Sequence, residues 1–417
     1  MSTVSSLEFR VVSSGSFLNP KPETRNPKHH LNPKPETRNP KPFGLYIHVP
    51  YCASRCHYCD FNTYRFDAAE AERYLQGLAQ EIDLYAGVEA VRDRRVSSVF
   101  FGGGTPSILT ASQIVGILER CRAGFVLEDG AEISLEANPG TVDLQKLRAL
   151  KAGGVNRLSF GVQAVQDRLL LRIGRVHSAE EAEQAFWMAR EAGFNSINLD
   201  VMFGLPDQSL DEWAESLRWA IRLNPEHLSI YGLIVEEGTR FHHEHRTGAL
   251  GLPDEETEAG MYRMAIELLE AAGFEHYEIS NFARPGFRCR HNLVYWEHQE
   301  YVGLGPGAHS FLDGRRFYNE LLPANYVRAI RERGTAVAGG EQLTPEALRS
   351  ERLMLGLRLR AGLDLQTVKE TLGVEDLAAS DRVAGLLDDG LLGLKDGRLQ
   401  ITERGLLVAN ELIVQLL

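Results

Sequence analysis

Three cysteines, Cys52, Cys56 and Cys59, fall within eight positions of "CASRCHYCDF", spaced C-x-x-x-C-x-x-C. A thiolate is both nucleophile and metal ligand, and three on one short loop point to a metal centre rather than to chance burial. Free cysteine also packs as a small apolar residue, but the intervening "ASR" and "HY" are too polar for a continuously buried segment. Zinc would accept the three thiolates with His48 or His57 beside them. Structural zinc usually takes paired C-x-x-C knuckles, however, and this chain of five cysteines has no second knuckle. An iron–sulfur cluster draws its thiolates from compressed runs of this kind. A four-iron cluster on three cysteines leaves one iron open, and open coordination belongs to catalysis more than to structure.

Such a loop needs a framework. "GLYIHVP", "SSVFFGGG", "AEISLEANP", "VNRLSFGVQ", "FNSINLDVMFGLP" and "HLSIYGLIV" read as six strands. Segments of helical spacing, among them "AERYLQGLAQEIDLYA", "ASQIVGILERC", "DLQKLRALKAGG", "AEEAEQAFWMAREAG" and "LDEWAESLRWAIRLN", separate them. Regular alternation implies parallel strands with helical crossovers, in an open doubly wound sheet or a barrel. No G-x-G-x-x-G opens the first helix, and Glu136, Gln163 and Asp200 fall at or near strand C-terminal ends, the ligand-bearing face of a barrel. The expectation is an α/β fold built on a partial parallel barrel of six β/α units. Beyond residue 340, "TPEALRSERLMLGLRL", "LQTVKETLG" and "DRVAGLLDDGLL" read as helices. "LLGLKDGRLQIT" reads as a hairpin turning at Asp396-Gly397, before a last helix. This is the layout of a small winged-helix-like α+β domain. The expected units are a tail over 1–42, the barrel and its extension over 43–340, and the winged-helix-like domain over 341–417.

The chain has 417 residues and a net charge of −12, which disfavours a large phosphate-backbone footprint and so bulk nucleic-acid binding. The winged-helix-like segment is not strongly basic and is read as a packing or partner domain. No apolar run is long enough for a membrane span, and the start "MSTVSSLEFRVV" lacks a secretory layout. Few cysteines suggest a reducing compartment, the cytoplasm. The first 42 residues contain "LNPKPETRNPK" twice, hold seven of the seventeen prolines, and carry seven Lys and Arg against three Glu. Such a composition cannot repay its ordering entropy by burial, and the tail is read as disordered. An organelle transit peptide is the alternative reading, although a Pro-Lys repeat makes a poor amphipathic helix.

The cysteine loop after a first barrel strand resembles the radical S-adenosylmethionine superfamily. There the fourth iron of a 4Fe–4S cluster is chelated by that cofactor's amino and carboxylate groups. "FFGGGTPS", Phe100 to Ser107, is similar to the superfamily's glycine-rich motif. "LYIHVPYC", "LEANPG", "RLSFGVQ" and "INLDVMFGLP" narrow the resemblance to the oxygen-independent coproporphyrinogen III oxidase-like family, from about residue 44 to the C-terminus. The resemblance implies that Tyr46 caps the cluster-bound cofactor and that Tyr58 packs on its adenine. It places Gly103, Gly104 and Thr105 at the methionine end. Glu136, Gln163, Arg175 and Asp200 would bind this or an adjacent cofactor. Each could also be an ordinary hydrogen-bonding residue at a strand end.

In porphyrinogen-oxidising members the cysteine run continues two positions on, where this chain has Phe61. A phenyl ring cannot ligate iron, transfer a proton or form a thiyl, so a function needing that thiol is excluded. The branch with phenylalanine there is the HemW type of heme chaperone, which also carries H-N-x-x-Y-W, here "HNLVYW", His291 to Trp296. A histidine can be an axial ligand to heme iron, with Asn292 orienting it and Tyr295 and Trp296 offering flat apolar surface. The plainer reading makes the aromatics core residues and His291 a satisfied polar one, with Cys289 and His309 as rival ligands. The resemblance therefore implies three cofactors, a 4Fe–4S cluster, S-adenosylmethionine and heme. It also implies an unnamed acceptor protein, for which a respiratory hemoprotein is the class considered. The alternatives are an oxygen-independent coproporphyrinogen III oxidase and a zinc-stabilised interaction protein.

Overall fold

The computed structural model describes residues 42–417 apart from 378 and 379, so the N-terminal repeat and the readings made of it lie outside the described residues. The six expected strands are all present: β1 (Phe43–Val49), β2 (Arg95–Gly103), β3 (Val126–Ala137), β4 (Arg157–Gln163), β5 (Ile197–Phe203) and β6 (His227–Gly232). They pair in parallel, each with the next in sequence. The order never reverses, which distinguishes a barrel from a doubly wound sheet. The crossover helices are α1 (Ala68–Ala86), α2 (Ala111–Gly124), α3 (Leu144–Ala152), α4 (Ala179–Glu191) and α5 (Leu210–Leu223), and α6 (Glu255–Ala271) follows β6. Their starts follow from sequence. Thr110, Ser178 and Ser209 each accept a hydrogen bond from the N3 amide, and the N3 Gln or Glu side chain accepts one from the cap's own backbone N–H.

The strands alternate as a one-sided core demands. In β1, Phe43, Leu45, Ile47 and Val49 are fully buried against the helices, while Tyr46 and His48 face the barrel interior. Burying four such side chains stabilises the sheet–helix interface by about 6–12 kcal/mol, before chain entropy is counted.

Six further strands extend the sheet. A hairpin of β7 (Glu275–Glu278) and β8 (Asn281–Ala283) adds antiparallel to β6. On the other side β9 (Tyr301–Leu304) runs parallel to β1, followed by antiparallel β10 (His309–Leu312), β11 (Arg315–Asn319) and β12 (Val337–Gln342). The result is one twelve-stranded sheet, with β1 near its middle. Helix α7 (Arg290–Trp296) lies between these flanks and packs on β1 and β2.

The C-terminal segment forms helices over Pro345–Gly356, Leu365–Leu372, Asp381–Asp388 and Ala409–Leu416, with the expected hairpin Leu392–Lys395/Arg398–Ile401. Asp396 and Gly397 both have positive φ, 49° and 72°, as a two-residue primed turn requires. Two backbone hydrogen bonds join this unit to β7 and the turn after it: Arg360 N to Tyr277 O at 3.0 Å and Ile279 N to Arg358 O at 3.1 Å.

Candidate functional site

The cysteine loop leaves the C-terminal end of β1 and is closed like a stirrup. Tyr51–Cys52 pairs with Tyr64–Arg65, and Phe66 N donates to Cys52 O at 2.9 Å. Its foot is tied to the glycine-rich turn after β2: Gly104 N donates to Val49 O and Thr105 N to Tyr51 O, both at 2.8 Å. Glycine is needed there for space. A Cβ on Gly104 would lie 2.7 Å from Tyr51 O, and one on Gly103, at φ +114°, would lie 2.7 Å from the His48 ring.

Two donors reach the sulfurs. Thr105 Oγ1 donates to Cys52 Sγ at 3.3 Å, and Arg175 Nη1 to Cys56 Sγ at 3.7 Å. Burial nevertheless pushes the Cys59 thiol up to about 12 and raises that of Cys52. These thiols ionise when a metal's charge is present, so metal binding releases protons. The two histidines that could complete a zinc site are engaged. His48 bonds the Tyr46 hydroxyl and Asn62 O, both at 3.0 Å, and His57 bonds Arg172 O at 2.9 Å and Arg240 Nη1 at 3.0 Å. Among the described residues no three His, Cys, Asp or Glu side chains converge on a point for a single ion. The three thiolates suit a multi-iron cluster better.

Behind the loop, inside the barrel, is a cavity of about 290 Å³. Its walls include Cys52, Cys56, Tyr58, Cys59, Gly103, Gly104, Thr105, Glu136, Gln163, Arg175, Asp200 and Asn292. Glu136 Oε2 accepts from Gly103 N at 3.2 Å. Gln163, held at φ +72°, accepts from the Tyr231 hydroxyl at 2.6 Å. Arg175 donates to Gly161 O, and its Nε is buried without a partner. Asp200 accepts from Asn198 at 2.7 Å and from Ser159 at 3.3 Å. Burial, then the neighbouring Asp200, pushes the Glu136 carboxyl up to about 8, and burial raises Asp200 as well. Two buried carboxyl groups with a pocket between them suit a cationic ligand, whose charge would restore their ionised forms. A sulfonium carries that charge. The donor set, the glycine turn and the unpartnered arginine nitrogen fit a cluster with S-adenosylmethionine.

Four of the expected residues do not line the cavity. Tyr46 lies beside it, stacked at 6.3 Å on Phe100, with its hydroxyl on His48. His291 is buried at 1% exposure, and both ring nitrogens are engaged, Nδ1 with Ser98 Oγ and Nε2 with the Tyr295 hydroxyl, each at 2.9 Å. Its ring stacks on Phe100 at 5.0 Å, and burial pushes it down to about 3, so it is a neutral interior imidazole. Folded in this way His291 offers no free nitrogen to iron, which departs from the axial-ligand expectation. Tyr295 packs edge-on to Tyr301 at 4.7 Å. Trp296 is buried beneath the Arg358 guanidinium, which stands 5.9 Å from its ring. Of the rivals, Cys289 is buried with its thiol on Glu132. His309 makes no side-chain hydrogen bond among the described residues, and shares a small cavity with Tyr295 and Tyr301.

Several cavity residues escaped the motif reading: Ser159, Ser229, Tyr231, Ser280 and Asn281. A signal for the first three was present. In "RLSFGVQ", "INLDVMF" and "HLSIYG" alternate residues are mostly polar or small, and these align across the strands, Ser159 with Asn198 and Asp200 with Ser229. Period-two polarity within strands that are apolar on their other face marks a wet interior.

Comparison with known proteins agrees with this geometry. The family model for the radical SAM superfamily matches residues 46–220, and that for the HemN C-terminal domain matches 343–408. The chain is 39% identical over 380 residues to the heme chaperone HemW of Mycobacterium tuberculosis, covering 90% of this chain and 95% of that protein. It is 39% identical over 368 residues to heme chaperone HemW of Bacillus subtilis, covering 88% and 97%. A mitochondrial radical S-adenosyl methionine domain-containing protein 1 of Bos taurus is 37% identical over 393 residues, covering 89% and 87%. Among solved structures, coproporphyrinogen III oxidase (HemN) from Escherichia coli, a radical SAM enzyme, superposes with a TM-score of 0.78 at 27% identity over 91% of each chain.

Proposed function

Because the chain belongs to the HemW family of radical S-adenosylmethionine proteins, we propose that it is a heme chaperone that binds heme and passes it to an acceptor protein. In this reading Cys52, Cys56 and Cys59 hold a 4Fe–4S cluster whose remaining iron takes S-adenosylmethionine. Together these groups supply a one-electron donor and a cleavable sulfonium. The chain's own residues do the rest. Thr105 and Arg175 donate to two of the sulfurs. Glu136 and Asp200 would face the cationic end of the cofactor, Gln163 is fixed by Tyr231, and Tyr58, on the cavity wall, would pack on the adenine.

The observation that carries the reading is Phe61. It stands at the cavity mouth with 38% of its surface exposed, at the position where oxidising relatives have a thiol. A phenyl ring there removes one route for coproporphyrinogen chemistry and leaves an apolar edge at the opening. The acceptor we have in view is a respiratory hemoprotein, and the compartment is the cytoplasm. Among the described residues no helix is long and apolar enough to cross a membrane. Anaerobic heme titration, run beside an assay for vinyl formation from coproporphyrinogen III, tests the proposal. Saturable heme binding without turnover is expected. Robust turnover would overturn it.

A further inference from the structure

The H-N-x-x-Y-W helix is the motif least absorbed by this reading, and its geometry assigns it a different task. Two residues are central. His291 is clamped between Ser98 of β2 and Tyr295 one turn on, and stacked on Phe100. The next residue, Asn292, lines the barrel cavity, and its side-chain amide makes no hydrogen bond among the described residues. The helix start is fixed as well. Glu132 on β3 accepts from Arg290 N at 3.1 Å and from His291 N at 3.2 Å. Two strands, β2 and β3, thus hold this helix so that one unpartnered amide faces the chamber.

The amide is not alone. Ser280 and Asn281, both 6% exposed, line the same cavity, and Ser280 Oγ and Asn281 Oδ1 are buried without partners. Buried polar atoms without partners are costly, so a set of them around one cavity marks a ligand still to be added. Apolar porphyrin faces would leave every one of these atoms unsatisfied. A ligand rich in hydroxyl, amino and carboxylate groups would satisfy them.

We propose that Asn292, with Ser280 and Asn281, binds the polar ligand of the barrel cavity, S-adenosylmethionine, and that His291 is the positioning residue that orients Asn292. On this account the motif serves the nucleoside cofactor, and His291 is not an axial ligand of heme. The inference rests on the reading that S-adenosylmethionine occupies the cavity. Asn292 has two donors and an acceptor, the combination that ribose hydroxyls or an adenine edge require. Turning the helix by even one residue would take the amide out of the chamber, which explains why its anchor is bonded on both nitrogens.

The test uses the full chain, reconstituted without oxygen, and two readouts. S-adenosylmethionine affinity is measured by equilibrium dialysis, and heme binding by its absorption spectrum. Asn292→Ala should weaken S-adenosylmethionine binding about ten-fold, the effect of one lost hydrogen bond to a polar ligand, with an unchanged iron content and heme spectrum. Ser98→Ala and Tyr295→Phe each remove one bond from His291. They should weaken the cofactor several-fold while leaving heme unaltered, and they serve if His291→Ala does not fold. Unchanged S-adenosylmethionine affinity in Asn292→Ala overturns the inference. So does a shifted heme band in any His291 variant that still folds. Failure of the wild-type chain to bind heme would instead remove the chaperone reading, and the dialysis result would still decide the role of Asn292.

Discussion

At the scale of single residues, the three loop cysteines and the two others make a controlled contrast. Cys52, Cys56 and Cys59 are half-buried beside the cavity, whereas Cys121 is buried on α2 among apolar neighbours and its thiol is pushed up to about 12. Replacing any loop cysteine with alanine should abolish the brown chromophore of protein reconstituted without oxygen. Cys121→Ala should keep it, at a cost of about 1 kcal/mol from the small cavity left behind. Iron analysis and the visible spectrum check both. The cysteines and glycines were legible because their types are demanding: few functions need three close thiols, and few backbones need consecutive glycines. His291 was hard to read for the opposite reason. Imidazole serves as ligand, as acid or as interior hydrogen-bonding plate, and only the positions of Ser98, Phe100 and Tyr295 decide which. Those residues lie elsewhere in the chain or one turn away, and spacing alone does not report their distances.

At the scale of elements, a buried carboxylate ties α1 to the chain that follows β9. Glu81 accepts from Gly305 N, Asn319 Nδ2 and the Tyr326 hydroxyl, all at 2.7 Å, and is 1% exposed. Burial outweighs these three donors and pushes its carboxyl from 4.5 up to about 7. The folded state therefore holds this proton more tightly than the unfolded chain. The stabilising contribution is full below the ordinary carboxylate range and is lost as pH rises through about 7. In urea unfolding, the stability of the wild-type chain relative to Glu81→Gln should fall by about 2–3 kcal/mol between pH 5 and pH 8.5. A flat difference would show that Glu81 stays ionised throughout. The six barrel strands could be read in advance because they are apolar runs separated by five helices of clear period. Most of the strands from β7 to β12 could not, since "EHYE", "NFA", "YVGL" and "HSFL" are three or four residues long and show at most two periods of alternation. Their pairing is set by the edges already formed.

At the scale of the whole molecule, the first strand of the barrel is not at an edge of the sheet. It lies between β2 and β9, so half of its ladder comes from residues more than 250 positions later. The cysteine loop shares this dependence. Asn62 donates to Pro306 O and Leu321 O at 3.0 Å, and a Cβ on Gly305 would lie 2.5 Å from His48 O. A chain cut after residue 250 keeps all three thiols, the glycine turn, Glu136, Gln163, Arg175 and Asp200. It should still lose its cluster within a desalting step, because nothing closes the open side of β1. Retention of full iron by that fragment would refute the argument. The order of synthesis then becomes part of the chemistry. The thiols leave the ribosome early, and their site is complete only when the segment around Leu321 has followed. Throughout that interval they are bare and oxidisable, so iron must arrive after translation is nearly finished, and air reaching the nascent chain would damage it before any heme is met.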